Sequence, residues 1–187
     1  FVFSRLFSDS FTVDTTAKKI KFKPPCYFYV ASANDDFIQS LANGLFLKKD
    51  LVIGMNTVIT KSISVVNSDV ENNEIKVKTL SPIVVRSTEN GKSFYYKPVD
   101  GEWVRKVKEN LARKYFAFCG VKIDENEVDI RVIRHSKEVT TFYKNYVIKG
   151  YDAILYIKAE KDILQFIVQT GLGEKNSMGF GFVVDLR

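Results

Sequence analysis

Four glycines bracket a short polar stretch near the end of the chain, in Gly171-Leu172-Gly173-Glu174-Lys175-Asn176-Ser177-Met178-Gly179-Phe180-Gly181-Phe182-Val183. Glycine reaches positive φ and lets backbone approach a ligand closely. Successive N–H groups in such a turn form a concavity that suits anions. Lys175 adds a cation, and Asn176 and Ser177 add neutral hydrogen-bonding groups. The chemistry suggested is a grip on phosphate by Gly171, Gly173, Lys175, Asn176, Ser177, Gly179 and Gly181. Spacing excludes the two best-known phosphate motifs. A P-loop needs a second glycine where this run has Asn176, and Lys175 is followed by asparagine rather than serine or threonine. A dinucleotide fingerprint also needs glycine at the position of Asn176. A glycine-rich hairpin with no ligand is the plainer alternative, since turns use glycine in any case.

A general acid or base acting near neutrality needs a group such as imidazole. The chain has one histidine, His135, in Arg134-His135-Ser136-Lys137. It reads either as such a group or as an exposed hairpin residue among basic neighbours. A lone histidine excludes metal sites built from several, and there is no paired-carboxylate or serine-nucleophile motif. The surrounding stretch holds Arg131, Arg134, Lys137, Lys144 and Lys149, with Phe142, Tyr143 and Tyr146 between them. Cations grip phosphates and aromatic faces stack on unpaired bases. The competing reading is an edge hairpin protected by lysine against aggregation. The cluster Arg105, Lys106, Lys108, Arg113 and Lys114 reads instead as the solvated face of a helix whose other face carries Trp103, Val107 and Leu111.

The elements that must position these residues follow from pattern. Residues 1–7 read as a strand, 9–16 as a polar turn and 20–31 as a second strand. Asn34 caps a helix with Asp35 and Asp36 in its first turn, and Phe37, Ile38, Leu41, Ala42, Leu45 and Phe46 recur as a buried face. Residues 51–66 are β-rich and 67–73 form a polar connection. The second half reads strand 74–85, turn 87–91, a short strand 94–96, helix from Asp100 to Gly120, strand 128–133, a basic hairpin, strand 153–157, a short helix passing into strand at 166–168, and strand 180–186. Lysines alternate with apolar residues at Lys19, Lys21 and Lys23, and again at Lys76 and Lys78, which puts the cations on one face of each strand.

That second half has the β-α-β-β-α-β order of a ferredoxin-like unit. The first half has only β-β-α-β. The expected architecture is therefore α+β, with tandem ferredoxin-like (RRM-like) domains at residues 1–70 and 71–187, the first lacking its initial strand and helix. Those two elements with their loops amount to roughly 30–50 residues, and they are expected upstream of Phe1.

Two blocks of residues together resemble a known family. The glycine run, Gly171 to Val183, is similar to the C-terminal glycine-rich loop of the RAMP superfamily, the repeat-associated mysterious proteins. Thr79-Leu80-Ser81-Pro82-Ile83-Val84-Val85, followed by Gly91-Lys92-Ser93-Phe94, resembles the CRISPR repeat-processing endoribonucleases within it. The resemblance covers most of the chain. It implies an antiviral-defence enzyme that binds CRISPR repeat RNA and cuts precursor crRNA once per repeat. It implies metal-independent attack by the RNA's own 2′-hydroxyl, with no cofactor. It implies a histidine acid or base in or just after the first helix, a segment expected upstream of Phe1, so that no position here inherits the role and His135 is the alternative. RNA contacts are expected from the glycine run and from Arg131, Arg134, Lys137 and Lys144. The superfamily also contains noncatalytic RNA-binding subunits, a second reading. Other CRISPR effector subunits and a homodimer are further partners the resemblance admits.

Composition agrees with such partners. The net charge of +6 suits a polyanion, and 45% hydrophobic with 27% charged residues excludes a disordered chain. Cys26 and Cys119 share no motif and read as free thiols. No apolar run is long enough for a membrane span and no signal peptide is present, so the expected location is cytoplasmic.

Overall fold

The computed structural model describes residues 1–48, 50–144 and 146–186. A long β-ribbon opens it. β1 (Val2–Phe3) pairs with β6 (Val30–Ala31), β2 (Phe7–Ser8) with β5 (Cys26–Tyr27), and β3 (Phe11–Asp14) with β4 (Lys19–Phe22), all antiparallel. The polar turn expected at 9–16 is thus largely strand. Phe11 sits across from Phe22 with ring centroids 6.1 Å apart, and such aromatic cross-strand pairs outweigh local polarity. α1 (Asp35–Leu47) follows, capped by Asn34, whose Oδ1 accepts from the Phe37 N–H at 2.9 Å. Its expected buried face is only half-buried at Phe37, Ile38, Leu41, Ala42 and Leu45, and Phe46 is 83% exposed. The ribbon and the β7 (Leu51–Ile53)–β8 (Asn56–Val58) hairpin remain separate two-stranded sheets, so no continuous sheet lies beneath the helix. Regular strand in the expected 51–66 region is confined to that hairpin.

The second half is a complete unit. β9 (Glu74–Thr79) ends short of the expected residue 85. β10 (Arg86–Glu89) and β11 (Lys92–Tyr95) form a hairpin where a turn and a short strand were expected. Asn90 and Gly91 both take positive φ there, 49° and 73°, the geometry that matches the twist of flanking strands. α2 (Gly101–Cys119) ends at Gly120, φ 73°, whose N–H donates to the Phe116 carbonyl. β12 (Asp129–His135), the hairpin β13 (Val139–Tyr143)–β14 (Tyr146–Gly150), β15 (Ala153–Lys158), α3 (Lys161–Thr170) and β16 (Val183–Asp185) complete it. The sheet order is β12-β15-β9-β16, every pair antiparallel. This is the ferredoxin-like arrangement, and with the β-β-α-β half before it the architecture is α+β with tandem ferredoxin-like units.

The strand expected at 166–168 is helix. Ile163, Leu164, Phe166, Ile167 and Val168 are all buried on α3, and a helix buried on several sides shows a continuous apolar run that periodicity cannot tell from a strand. They join Trp103, Val107 and Leu111 of α2 and Ile75, Val77, Leu155 and Ile157 of the sheet in one core. Both helices therefore cover one face of the sheet and leave the other open.

At the end of the sheet where β9 finishes and β16 begins, residues 80–84 are laced to the glycine run. Leu80 N–H donates to the Phe182 carbonyl (2.8 Å), Gly181 N–H to Pro82 (2.8 Å) and Glu174 N–H to Val84 (2.9 Å). The buried Ser81 hydroxyl accepts from the Phe182 N–H at 2.9 Å. Gly173, at φ 70°, lies so close to this segment that a Cβ would meet the Val84 carbonyl oxygen at 2.5 Å. Gly181 has no room either, because its Cβ would strike the Leu172 carbonyl.

Asn176 and Lys114 close the loop from within. Asn176 Nδ2 donates to the Leu172 and Phe180 carbonyls at 3.1 and 3.0 Å. Lys114 Nζ donates to the Gly171 carbonyl at 2.6 Å and to Asn176 Oδ1 at 3.0 Å. The expected solvated role for Lys114 is thus corrected: the half-buried side chain turns inward, and burial pushes its pKa down to about 7. A neutral amine carries two N–H bonds, enough for its two acceptors.

Two outcomes follow. Gly173→Ala combines strained φ with a clash and should destabilise by about 2–4 kcal/mol. Gly44→Ala, in α1 with nothing within 4 Å of the added Cβ, should stabilise by about 0.5–1 kcal/mol. Urea unfolding followed by circular dichroism reads both. Between about 7 and 10.5, the folded and ordinary pKa values of Lys114, the unfolded chain binds the extra proton, so stability rises with pH across that window. Urea midpoints should show this rise in the parent and lose it in Lys114→Met; equal pH slopes would refute the buried amine.

Candidate nucleic-acid interface

The open face of the sheet is decided by strand register. On β9 the alternation buries Ile75 and Val77 and exposes Lys76 and Lys78, as their spacing predicts. Residues directly opposite each other in antiparallel strands share a face. Lys76 pairs with Tyr156, and Tyr156 with Arg131. Lys78 pairs with Ile154, and Ile154 with Arg134. Simple alternation would turn Arg134 away from Arg131. A register shift between Val132 and Arg134 brings it back, the effect of one extra residue in a strand.

Two rows of basic residues thus flank one tyrosine. The Arg131 guanidinium lies 5.7 Å from the Tyr156 ring centroid. It also pairs with Asp129 at 2.8 Å, with its own side chain 72% exposed. Tyr156 donates its hydroxyl to Glu74, and that hydrogen bond raises its pKa. At the far end of the sheet Glu74 and Asp129 flank Lys158 in one row, so net positive charge is concentrated toward the Lys78 end. This is a surface on which an unpaired base can stack while its phosphates meet cations.

Lys137 follows the sheet at that end and is exposed. His135, also exposed, ends β12; its Nδ1 is 2.8 Å from the Ser136 carbonyl, and its ring meets Tyr151 edge-on at 6.4 Å. Tyr151 donates to Glu138 at 3.2 Å. Burial, with this hydrogen bond added, pushes its phenol up to about 12. Glu138 is held below the usual carboxylate range, chiefly by Lys149 at 3.0 Å.

The β13–β14 hairpin forms where the basic, aromatic stretch predicted one. Tyr95 braces it through a 2.8 Å bond to the Val147 carbonyl. Phe142 and Tyr146 are 77% and 71% exposed at its tip, beside Lys144 at φ 52°. Lys144 therefore stands at the far end of the hairpin from Arg131 and Arg134 rather than beside them.

The glycine run sits at the same sheet end, but its glycines do not present backbone to solvent. Gly171, Gly173 and Gly181 are buried, and Gly179 is half-buried with Phe3 against it. Asn176 is committed to bonds within the protein. Ser177 and Met178 face outward, with Lys175 half-buried at φ 61°. Tyr156 was not singled out by the sequence reading. Its signal was present, a tyrosine on the polar side of an alternating Ala-Ile-Leu-Tyr-Ile-Lys strand.

Among the described residues no three His, Cys, Asp or Glu side chains are grouped to hold a metal ion. No helix among them is long and apolar enough to cross a membrane. Cys26 and Cys119 are free and exposed.

The family model for the CRISPR associated protein Cas6, C-terminal, matches residues 60–184. CRISPR-associated endoribonuclease Cas6 1 of Methanocaldococcus jannaschii is 28% identical over 165 residues, which cover 86% of this chain and 64% of that protein. CRISPR-associated endoribonuclease Cas6 of Pyrococcus furiosus is 26% identical over 157 residues, covering 84% of this chain and 59% of that one. The chain therefore spans less than two thirds of either relative. The solved structure for a Cas6-related gene of Pyrococcus furiosus superposes on the whole chain and on 78% of its own, with a TM-score of 0.89 at 25% identity. With the family model matched over more than half its length, and with the glycine run laced to its partner segment, the chain belongs to the Cas6 family of CRISPR-associated proteins.

Proposed function

We propose that this protein binds CRISPR repeat RNA and takes part in cutting precursor crRNA within each repeat, by attack of the RNA's 2′-hydroxyl without a metal ion. The observation that carries the binding half is the open sheet face, where Lys76, Lys78, Arg131 and Arg134 surround Tyr156. The cutting half is supported by membership of the Cas6 family and by relatives that are endoribonucleases. Lys137, Lys175 and Ser177 extend the RNA path around the end of the sheet, and Lys144 meets it at the hairpin tip. The glycines set the shape of the loop that carries Lys175 and Ser177. We assign residues 1–70 and 71–187 to separate ferredoxin-like domains.

Anisotropy with labelled repeat RNA tests the binding surface. Tyr156→Ala should weaken binding about tenfold through lost stacking. Arg131→Gln should weaken it less and lower the salt dependence by about one counterion. Unchanged affinity in both variants would remove the sheet face from the proposal. Incubation in EDTA tests cutting. A single product ending in a cyclic phosphate is expected, and a 2′-deoxy residue at the cut should abolish it. RNA held intact would assign the chain a binding role alone.

A further inference from the structure

A recess of about 270 Å³ opens on the helix side of the molecule, away from the sheet face. Its walls are the start of β10, one side of α2 and the Gly173-Glu174 turn. The volume lies just under the ~300 Å³ at which small-molecule sites begin, which suits one nucleotide and excludes a duplex. The lining is mostly polar. Arg86 is already bound to Glu174 at 2.9 Å and to Ser93 at 2.9 Å. Lys106 leans on the Tyr96 ring at 5.3 Å and lies 3.9 Å from Glu109.

Two lining residues are left uncommitted. Arg113 is exposed and has no ion pair or hydrogen bond among the described residues. Asn110, one turn earlier on α2, has a buried Oδ1 with no donor. A buried carboxamide oxygen without a partner costs stability until something donates to it. A carboxamide presents one acceptor beside one donor, the pattern that pairs with the edge of a base. A free guanidinium at the mouth of the same recess matches a phosphate in two hydrogen bonds.

We propose that this recess is a subsite for one unpaired RNA nucleotide, its base edge bonded by Asn110 and its phosphate by Arg113. The assignment rests on the RNA-binding reading above. It takes a nucleotide turned out of the strand that runs past the glycine loop, since Gly173 and Glu174 belong to both the loop and the recess wall. Arg86 and Lys106, already held by protein partners, shape the mouth.

The test compares two labelled probes by anisotropy, a ten-nucleotide oligoadenylate and a ten-residue ribose–phosphate RNA without bases. Asn110→Ala should bind the oligoadenylate about tenfold more weakly and the base-free RNA equally well. Arg113→Gln should weaken both and lower the salt dependence. Asn110→Ala removes an unpartnered oxygen, so folding is expected to survive, and thermal melting checks it. Should it not fold, the exposed Arg113 variant still decides. Parent affinity in both variants overturns the recess and leaves RNA binding intact. Failure of the parent protein to bind either probe overturns RNA binding and the recess with it. AMP binding as tightly as the oligoadenylate would make this a free-nucleotide site and overturn the RNA assignment.

Discussion

The lacing of residues 80–84 to the glycine run is the contact on which the rest of the second unit depends. Backbone hydrogen bonds join the two segments, and they reach that distance only because Gly173 and Gly181 have no side chain. One segment leaves β9 and the other enters β16, so the same bonds set the register of the edge strand. Ile83 exchanges two backbone bonds with Tyr151 on its other side. The segment is thereby held between the glycine loop and the base of the β13–β14 hairpin. Ser81 and Asn176 satisfy groups that this close approach would strand in the interior, where an unmet backbone donor or acceptor is costly.

In the proposed reading, that arrangement lets a glycine loop shape an RNA surface while its glycines face the protein interior. Their conformational freedom is used inward, for close approach of protein to protein. The outward product is a compact turn that shows Ser177 and part of Lys175 beside a basic sheet end. Lys114 supports the turn from below with an amine whose charge is disfavoured by burial. At this end of the sheet the charge open to a polyanion comes from residues that remain exposed, among them Lys76, Lys78, Arg131, Arg134 and Lys137.

Much of the fold was legible before any coordinates. Alternation at Ile75, Lys76, Val77 and Lys78 predicted a half-buried strand. The i+4 spacing from Trp103 to Tyr115 predicted a helix, and Asn34 marked the start of another. The failures share a cause. Residues 166–168 read as strand because burial on several sides erases helical periodicity. Residues 11–14 read as turn because their pairing partner lies beyond the tip of the ribbon. Lys114 read as solvated because helical spacing shows which face a residue occupies and not what another segment places against that face.

The sequence by itself determined the order of elements, the two glycine-dependent segments, the sign of the charge and the family. Each is encoded locally, by period, by residue type or by short motifs. Tertiary structure alone decided which cations share a surface. Arg134 joins Arg131 only through a bulge in β12, and Tyr156 becomes their neighbour only through pairing with β15. It also decided that Asn110 and Arg113 face a recess closed by a turn some sixty residues further along the chain. Strand register and helix packing are set by hydrogen bonds and burial between distant segments, and no local pattern of residue types carries that information.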